Sequence, residues 1–222
     1  MASIYFKNRL EAGAKLLESL GKIKKNPATI IALNTDSISL GAQISSTLQS
    51  PLQLYLASEI EVPGGLIIGS VNSSGGFSYS SGISKPDAEY WATEYNGYVE
   101  ETKRSTLSSI NRELGSSEVI RKDLIKGRDV ILVTDVMEST IETASIIESI
   151  KPLSYKKIFV ATPIIMSNIV SDIKEMVDDA FFIGQIDFFY GKDHYYEDNT
   201  VYERTKGIQI VSQALGMWPV TA

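Results

Sequence analysis

Leu10, Ala14, Leu17 and Leu20 recur at helical spacing behind Phe6 and meet Gly21 as a stop, which predicts an amphipathic helix over residues 7–20. A solvated, Lys-rich connector follows over 22–27. Residues 29–33 are a short apolar run of strand-forming type bounded by Asn34-Thr35-Asp36-Ser37, and 38–48 carry the pattern of the next helix. Strands are expected over 52–57 and 66–71, separated by Pro63-Gly64-Gly65. Ser73-Ser74-Gly75-Gly76 then turns the chain into 77–79, so a β-ribbon is expected here. The polar stretch 85–126 has few strong apolar runs and is expected to cover the sheet or protrude from it.

Residues 130–133, 158–161 and 180–183 are near-continuous apolar runs, the pattern of parallel strands covered on both faces. Ile165, Met166, Ile169, Val170, Ile173, Met176 and Val177 keep the three-four spacing of one helix face. Strands alternating with helices in this way predict an α/β fold built on a mainly parallel, doubly wound sheet. No internal repeat or linker divides the chain, so 1–222 is expected to form a single domain.

The 222 residues, 43% of them hydrophobic, are enough to bury a sizeable core. Their net charge of −6 leaves no global positive field for a nucleic-acid backbone, so no nucleic-acid partner is expected. With no Cys and one His, His194, thiol nucleophiles, disulfides and histidine-rich metal sites are excluded, and His194 reads as an exposed loop residue. Chemistry must come from carboxylates, hydroxyls, amines or backbone amides. No stretch has the apolar length of a membrane span and no basic-then-apolar leader opens the sequence, so a cytoplasmic protein without membrane contact is expected. In that setting Asn72-Ser73-Ser74 reads as part of a turn rather than a glycosylation site.

Ligands of open α/β sheets sit at the carboxyl ends of strands, where loops lead into helix N-termini that favour anions. The strongest candidate is the loop after 130–133, which reads Thr134-Asp135-Val136-Met137-Glu138-Ser139-Thr140-Ile141-Glu142-Thr143. It resembles the signature of type I phosphoribosyltransferases: four apolar residues, two acids, a short loop and Thr-Gly-x-Thr. Phe6-Lys7-Asn8-Arg9-Leu10-Glu11-Ala12-Gly13, Pro63-Gly64-Gly65, Ile68-Gly69-Ser70-Val71 and Tyr195-Tyr196-Glu197-Asp198 look like a bacterial subgroup of that family in the same order, so the similarity covers most of the chain. The resemblance implies a phosphoribosyltransferase-like fold, a homodimer, and a small hood contributed by roughly 185–222. It also implies a phosphoribosyl pyrophosphate site in which Asp135 meets the ribose hydroxyls while Ser139, Thr140 and Thr143 hold the 5′-phosphate. Mg2+ is implied if the protein is active.

The chain departs from the family pattern at three places. Thr134 replaces the first acid, Thr140 the glycine that lets backbone approach phosphate, and Glu142 the final threonine. A carboxylate inside a phosphate cradle is a like-charge contact of about 4 kcal/mol at 4 Å and an effective dielectric near 20. Two readings follow: Ser139-Thr140-Ile141-Glu142 is a capping box, Ser139 accepting from the third helical amide and Glu142 reaching back, or it is a working cradle from which Glu142 swings away. Asn34-Thr35-Asp36-Ser37 stands where the subgroup has Pro-Arg-Gly-Gly, so Thr35, Asp36 and Ser37 are either ligand contacts without the Arg fork or a helix cap made by Asp36 or Ser37. Ser58-Glu59 replaces an Arg-Lys pair.

Acids Asp36, Glu59, Glu61, Asp135, Glu138 and Glu142 therefore surround a mouth that should receive an anion. Lys103-Arg104 and Arg121-Lys122 either compensate from a loop or are solvated surface charges. Aromatic residues concentrate between Phe181 and Tyr202, where Tyr190, Tyr195 and Tyr196 serve either packing or contact with a base or partner. Three functions remain open. The first is a catalytically impaired phosphoribosyltransferase-like module binding a nucleotide- or nucleoside-type small molecule. The second is an active magnesium-dependent enzyme with an unknown base, and the third a protein-interaction module.

Overall fold

The runs 28–32 and 130–133, apolar or threonine throughout, form strands buried on both faces, whereas 180–183, expected to be covered in the same way, lie in an edge strand that is only partly buried and leaves Ile183 exposed. The computed structural model describes residues 4–22, 26–80, 82–114, 120–201 and 203–218. Part of the Lys-rich connector (23–25), residues 115–119 of the polar stretch, Tyr202 and 219–222 lie outside the described residues. The elements run α1 (Arg9–Ser19), β1 (Ala28–Ala32), α2 (Ile38–Leu48), β2 (Leu52–Leu54), β3 (Ala57–Val62), β4 (Leu66–Asn72), β5 (Phe77–Tyr79), α3 (Lys85–Glu94) and α4 (Asn96–Leu114). They continue with β6 (Asp129–Val133), β7 (Val136–Met137), α5 (Ile141–Ile150), β8 (Ile158–Met166), α6 (Val170–Met176), β9 (Asp179–Ile186) and α7 (Arg204–Gly216).

The main sheet has the order β2-β1-β6-β8-β7, with β9 on the other side of β8, and every pairing in it is parallel. Alternate residues of its strands feed two separate cores. Ile30, Ala32, Ile131 and Val133 face Leu16, Ile38 and Ile44 of α1 and α2. Ile31, Val130, Leu132 and Val160 face Ile146, Ile150 and Ile173 of α5 and α6. This is the doubly wound arrangement that continuous apolar strands require. At Gly41 a Cβ would stand 2.9 Å from Leu52 Cδ1, so the glycine lets α2 lie close on the sheet.

Two expected elements differ. The strand expected over 52–57 is divided: β2 ends at Leu54, and β3 begins at Ala57 in a second, antiparallel sheet of order β3-β4-β5. The division follows from patterning, since Ile60 and Val62 are buried while Glu59 and Glu61 are exposed, an alternation that suits a sheet with one wet face. Ile165 and Met166, read as the start of a helix face, instead end β8, which is lengthened by pairing with β7 on one side and β9 on the other. Only after a 3-10 turn over Ser167–Ile169 does α6 begin. Tertiary pairing overrides a spacing that a short apolar run satisfies either way.

The polar stretch after residue 85 becomes α3 and α4, packed on the small sheet through Val99, Trp91 and Leu107. Residues 195–198 run beside the chain entering α1: Phe6 donates to the Tyr195 carbonyl and Glu197 to the Phe6 carbonyl, both at 2.9 Å. In α7, Val211 packs in the core shared by α1, α2 and β2.

Candidate functional site

β6 and β7 lie along the same side of β8 but are separated by Thr134 and Asp135, which leave the ladder at the carboxyl end of β6. Asp135 is fully buried there, and the fold supplies its counter-charges from both ends of the chain. Asn8 accepts a hydrogen bond from the Glu11 amide at 3.0 Å and starts α1, so that Arg9 in its first turn points inward. Arg9 Nη2 is 2.9 Å and Nε 3.3 Å from Asp135 Oδ2, and Lys192 Nζ is 3.4 Å from Oδ1. The Arg9 guanidinium lies 4.7 Å from the centre of the Tyr196 ring, whose hydroxyl donates to the Asp135 carbonyl at 3.1 Å. Burial, reinforced by the Asp135 charge, pushes the Tyr196 phenol well above its ordinary range, so it stays a donor. Phe6-Lys7-Asn8-Arg9 and Tyr195-Tyr196 thus meet beneath Asp135.

The loop after β1 is tied to the same point. Asn34 Oδ1 accepts from the Ser37 amide at 3.0 Å and from its hydroxyl at 2.5 Å, capping a 3-10 turn over Thr35–Ser37 that leads into α2. Ser37 holds the cap position of α2 but makes no side-chain cap bond; the side-chain cap is made one turn earlier, by Asn34 on the 3-10 turn, and not by Asp36. Ser37 instead accepts from the Asp135 amide at 3.0 Å, and Asp36 receives Lys192 Nζ at 2.6 Å. Thr35 is partly buried in the same turn.

Above this floor opens a cleft of about 350 Å³. Its polar lining is Asn34, Glu59, Ser70, Thr134, Glu138, Ser139, Glu142 and Lys192, and its apolar lining is Ala57, Val136, Met137 and Ile141. The capping box expected at Ser139 does not form, because the helix starts one residue later. Thr140 occupies the cap position of α5, so the Ser139 hydroxyl accepts from the Ile141 amide at 3.0 Å, the first helical amide rather than the third. Glu142 then stands at the second helical position, from which its side chain lines the cleft. Thr140 is buried, and Thr143 is fully buried with its hydroxyl oxygen unpartnered.

Burial pushes the Glu142 carboxyl up to about 7, with Asp135, Glu59 and Glu138 adding to the rise and Lys192 opposing it. Glu138 is also held above the ordinary range by desolvation, and Glu59 by desolvation and the neighbouring Glu61. Burial alone would lower the Lys192 ammonium, but Asp135 and Asp36 outweigh it and hold the group above its usual value.

Lys103 pairs with Glu100 on α4 and lies over Phe77, Arg121 pairs with Asp123, and neither basic pair lines the cleft. Lys192, carried in by a turn at Gly191 with φ 96°, takes their place. Tyr195 and Tyr196 are buried and serve packing, whereas Tyr190 is exposed. His194 is exposed, its ring against Tyr190 and Tyr195. Sequence reasoning gave Arg9, Lys192 and Asn34 no role. The available signal was a charge beside a helix cap or a loop glycine, which names no partner.

No family model and no curated protein matches this chain. Among solved structures it is similar to TT1426 from Thermus thermophilus, with 19% identity over 94% of this chain and 98% of that one and a TM-score of 0.75. It is also similar to a purine phosphoribosyltransferase from Pyrococcus horikoshii (15% identity, 83% and 91% covered, TM-score 0.48). A third similar structure is a hypothetical protein from Neisseria gonorrhoeae with bound ppGpp (10% identity, 92% of each chain, TM-score 0.48). The chain has the mainly parallel α/β fold of TT1426, and type I phosphoribosyltransferases recur among the solved structures it resembles.

Proposed function

We propose that this chain is a phosphoribosyltransferase-like ligand-binding or regulatory module, impaired in phosphoribosyl transfer, whose cleft takes a nucleoside-sized small molecule. One observation carries the reading: Glu142 occupies the cleft beside the first amides of α5, where the family places the 5′-phosphate. A phosphate there would meet a carboxylate at the helix end that otherwise favours anions. The carboxylate of Asp135, the residue expected on the ribose, is already shared between Arg9 and Lys192. We further take the protein to be cytoplasmic and, as the resemblance implies, a homodimer, which fractionation and sedimentation would check.

Calorimetric titration of the whole protein with phosphoribosyl pyrophosphate and magnesium tests the reading. The expected result is no binding by the unaltered protein and partial recovery in Glu142→Thr. Micromolar binding by the unaltered protein would overturn it.

Lys192 favours a second reading, an active phosphoribosyltransferase in which its ammonium leaves Asp36 for the pyrophosphate while Ser139, Thr140 and Thr143 hold the 5′-phosphate. The residues present do not fit a resident magnesium ion. Asp135 is engaged by two cations, and among the described residues no group of three or more His, Cys, Asp or Glu is placed to hold a metal. No step of either reading is routed through one.

A further inference from the structure

The charges around the cleft divide into a balanced set and an unbalanced one. Arg9 and Lys192 neutralise Asp135 and Asp36. Glu59 from β3 and Glu138 and Glu142 from the β7–α5 segment have no ion-pair partner among the described residues, and all three line the cleft. A second feature points to a missing ligand. Ser70 of β4 lines the same cleft, is 1% exposed, and its hydroxyl oxygen has no hydrogen-bond partner, an arrangement that costs free energy unless something fills it.

We propose that this cleft binds a small organic cation, an aliphatic amine whose ammonium group is received by Glu59, Glu138 and Glu142 and whose methylene stem lies on Val136 and Met137. The inference rests on the reading that the cleft is not a phosphate site, and it names the class of ligand that replaces the phosphate. Among the described residues these carboxylates form no group placed to hold a metal ion, whereas an ammonium on a flexible stem is held by the charge of acids spread around an apolar floor without bonding all three at once. The volume of about 350 Å³ admits a molecule of nucleoside size or smaller. Amine binding requires the carboxylates to be ionised. The groups facing Glu142 are Glu59 from β3, Asp135 and Glu138 from the chain before α5, Lys192 from the C-terminal stretch, and the Tyr55 phenol behind the helix. With Glu142 at about 7, an amine that stays protonated should bind with release of a proton and more tightly as pH rises.

The test is calorimetric titration of the whole protein with putrescine and spermidine at pH 6 and pH 8, with adenosine and magnesium phosphoribosyl pyrophosphate as the neutral and anionic comparisons. Amine binding about tenfold tighter at pH 8 is expected, because an acid at about 7 changes from about one-tenth to about nine-tenths ionised over that interval. Glu142→Gln and Glu59→Gln should each weaken it about tenfold or more, Ser70→Ala by less, and Glu148→Gln on the exposed face of α5 not at all.

Absence of binding by both amines at millimolar concentration overturns the inference. So does amine binding that Glu142→Gln and Glu59→Gln leave unchanged in variants whose circular dichroism is that of the unaltered protein. Adenosine binding without amine binding overturns this inference alone and leaves the proposed function standing. Micromolar binding of phosphoribosyl pyrophosphate overturns both.

Discussion

Two groups of acids meet at the cleft, and the fold treats them in opposite ways. Asp135 and Asp36 sit on the strand-end loops with Arg9 and Lys192 against them, and Asp135 also accepts from the Val136 amide. Glu59, Glu138 and Glu142 stand on the rim, where burial first and repulsion from neighbouring acids second raise their affinity for protons. The floor is an architectural hub that binds the two ends of the chain to the central sheet. The rim is an unneutralised surface, and the proposed amine site rests on it.

The largest effect should come from breaking the hub. Arg9→Met leaves the fully buried Asp135 with Lys192 alone, and removing one member of a buried pair costs about 3–5 kcal/mol. Arg9→Met combined with Asp135→Asn should recover part of that loss, because the uncompensated charge is gone. Urea unfolding followed by circular dichroism measures both. A cost below about 1 kcal/mol for the single change, in the range of surface pairs, would erase the distinction between floor and rim.

Next in size is Glu142, and here the sign reverses. In the unfolded chain its carboxyl titrates near 4.5 and in the fold at about 7. Below pH 4.5 both states are protonated and the residue is neutral for stability. Between those values the unfolded chain ionises first, so stability falls as pH rises. Above pH 7 the loss is complete, about 3 kcal/mol. Glu142→Gln should therefore raise the urea midpoint at pH 8 and leave it unchanged near pH 4. A variant no more stable than the parent at pH 8 would mean that the rim is already neutralised.

Lys192 joins the two groups and is partly exposed, so its effect should be intermediate. Lys192→Met removes the contacts at 2.6 Å to Asp36 and 3.4 Å to Asp135, and a loss of about 1–2 kcal/mol is expected between the surface and buried limits. The variant also removes the charge that opposes the rise at Glu142. Carboxyl-carbon NMR should show Glu142 titrating at still higher pH in Lys192→Met.

The main sheet was legible because its strands are apolar at consecutive positions, and Ile30 and Ile31 fill opposite cores. The loop after β6 was legible as the ligand end because strand, acid and helix start are contiguous there. What was hidden depends on contacts distant in sequence. Arg9 and Asp135 are 126 residues apart, and Lys192 and Asp36 are 156 apart, so neither pair leaves a spacing to read. The boundary at Ile165 and Met166 was hidden for a related reason, since only pairing with β7 and β9 shows that β8 continues through them. The capping box failed by one residue, a shift that local sequence rarely resolves but that decides where Glu142 points.

The smallest effect, and the sharpest check on that register, is Ser139→Ala. The Ser139 hydroxyl serves the first amide of α5 at 3.0 Å in a partly exposed position, so water can replace it. A loss of about 0.5–1 kcal/mol is expected, at the low end for caps. Had Ser139 and Glu142 formed a reciprocal box, removing the hydroxyl would also free the Glu142 carboxylate and change its titration. In the observed register the two are independent, so Ser139→Ala should speed amide exchange at Ile141 while leaving the midpoint of Glu142 near 7. Coupled changes at both residues would instead place the cap at Ser139, turn Glu142 back toward the helix start, and leave the cleft one carboxylate poorer than its lining requires.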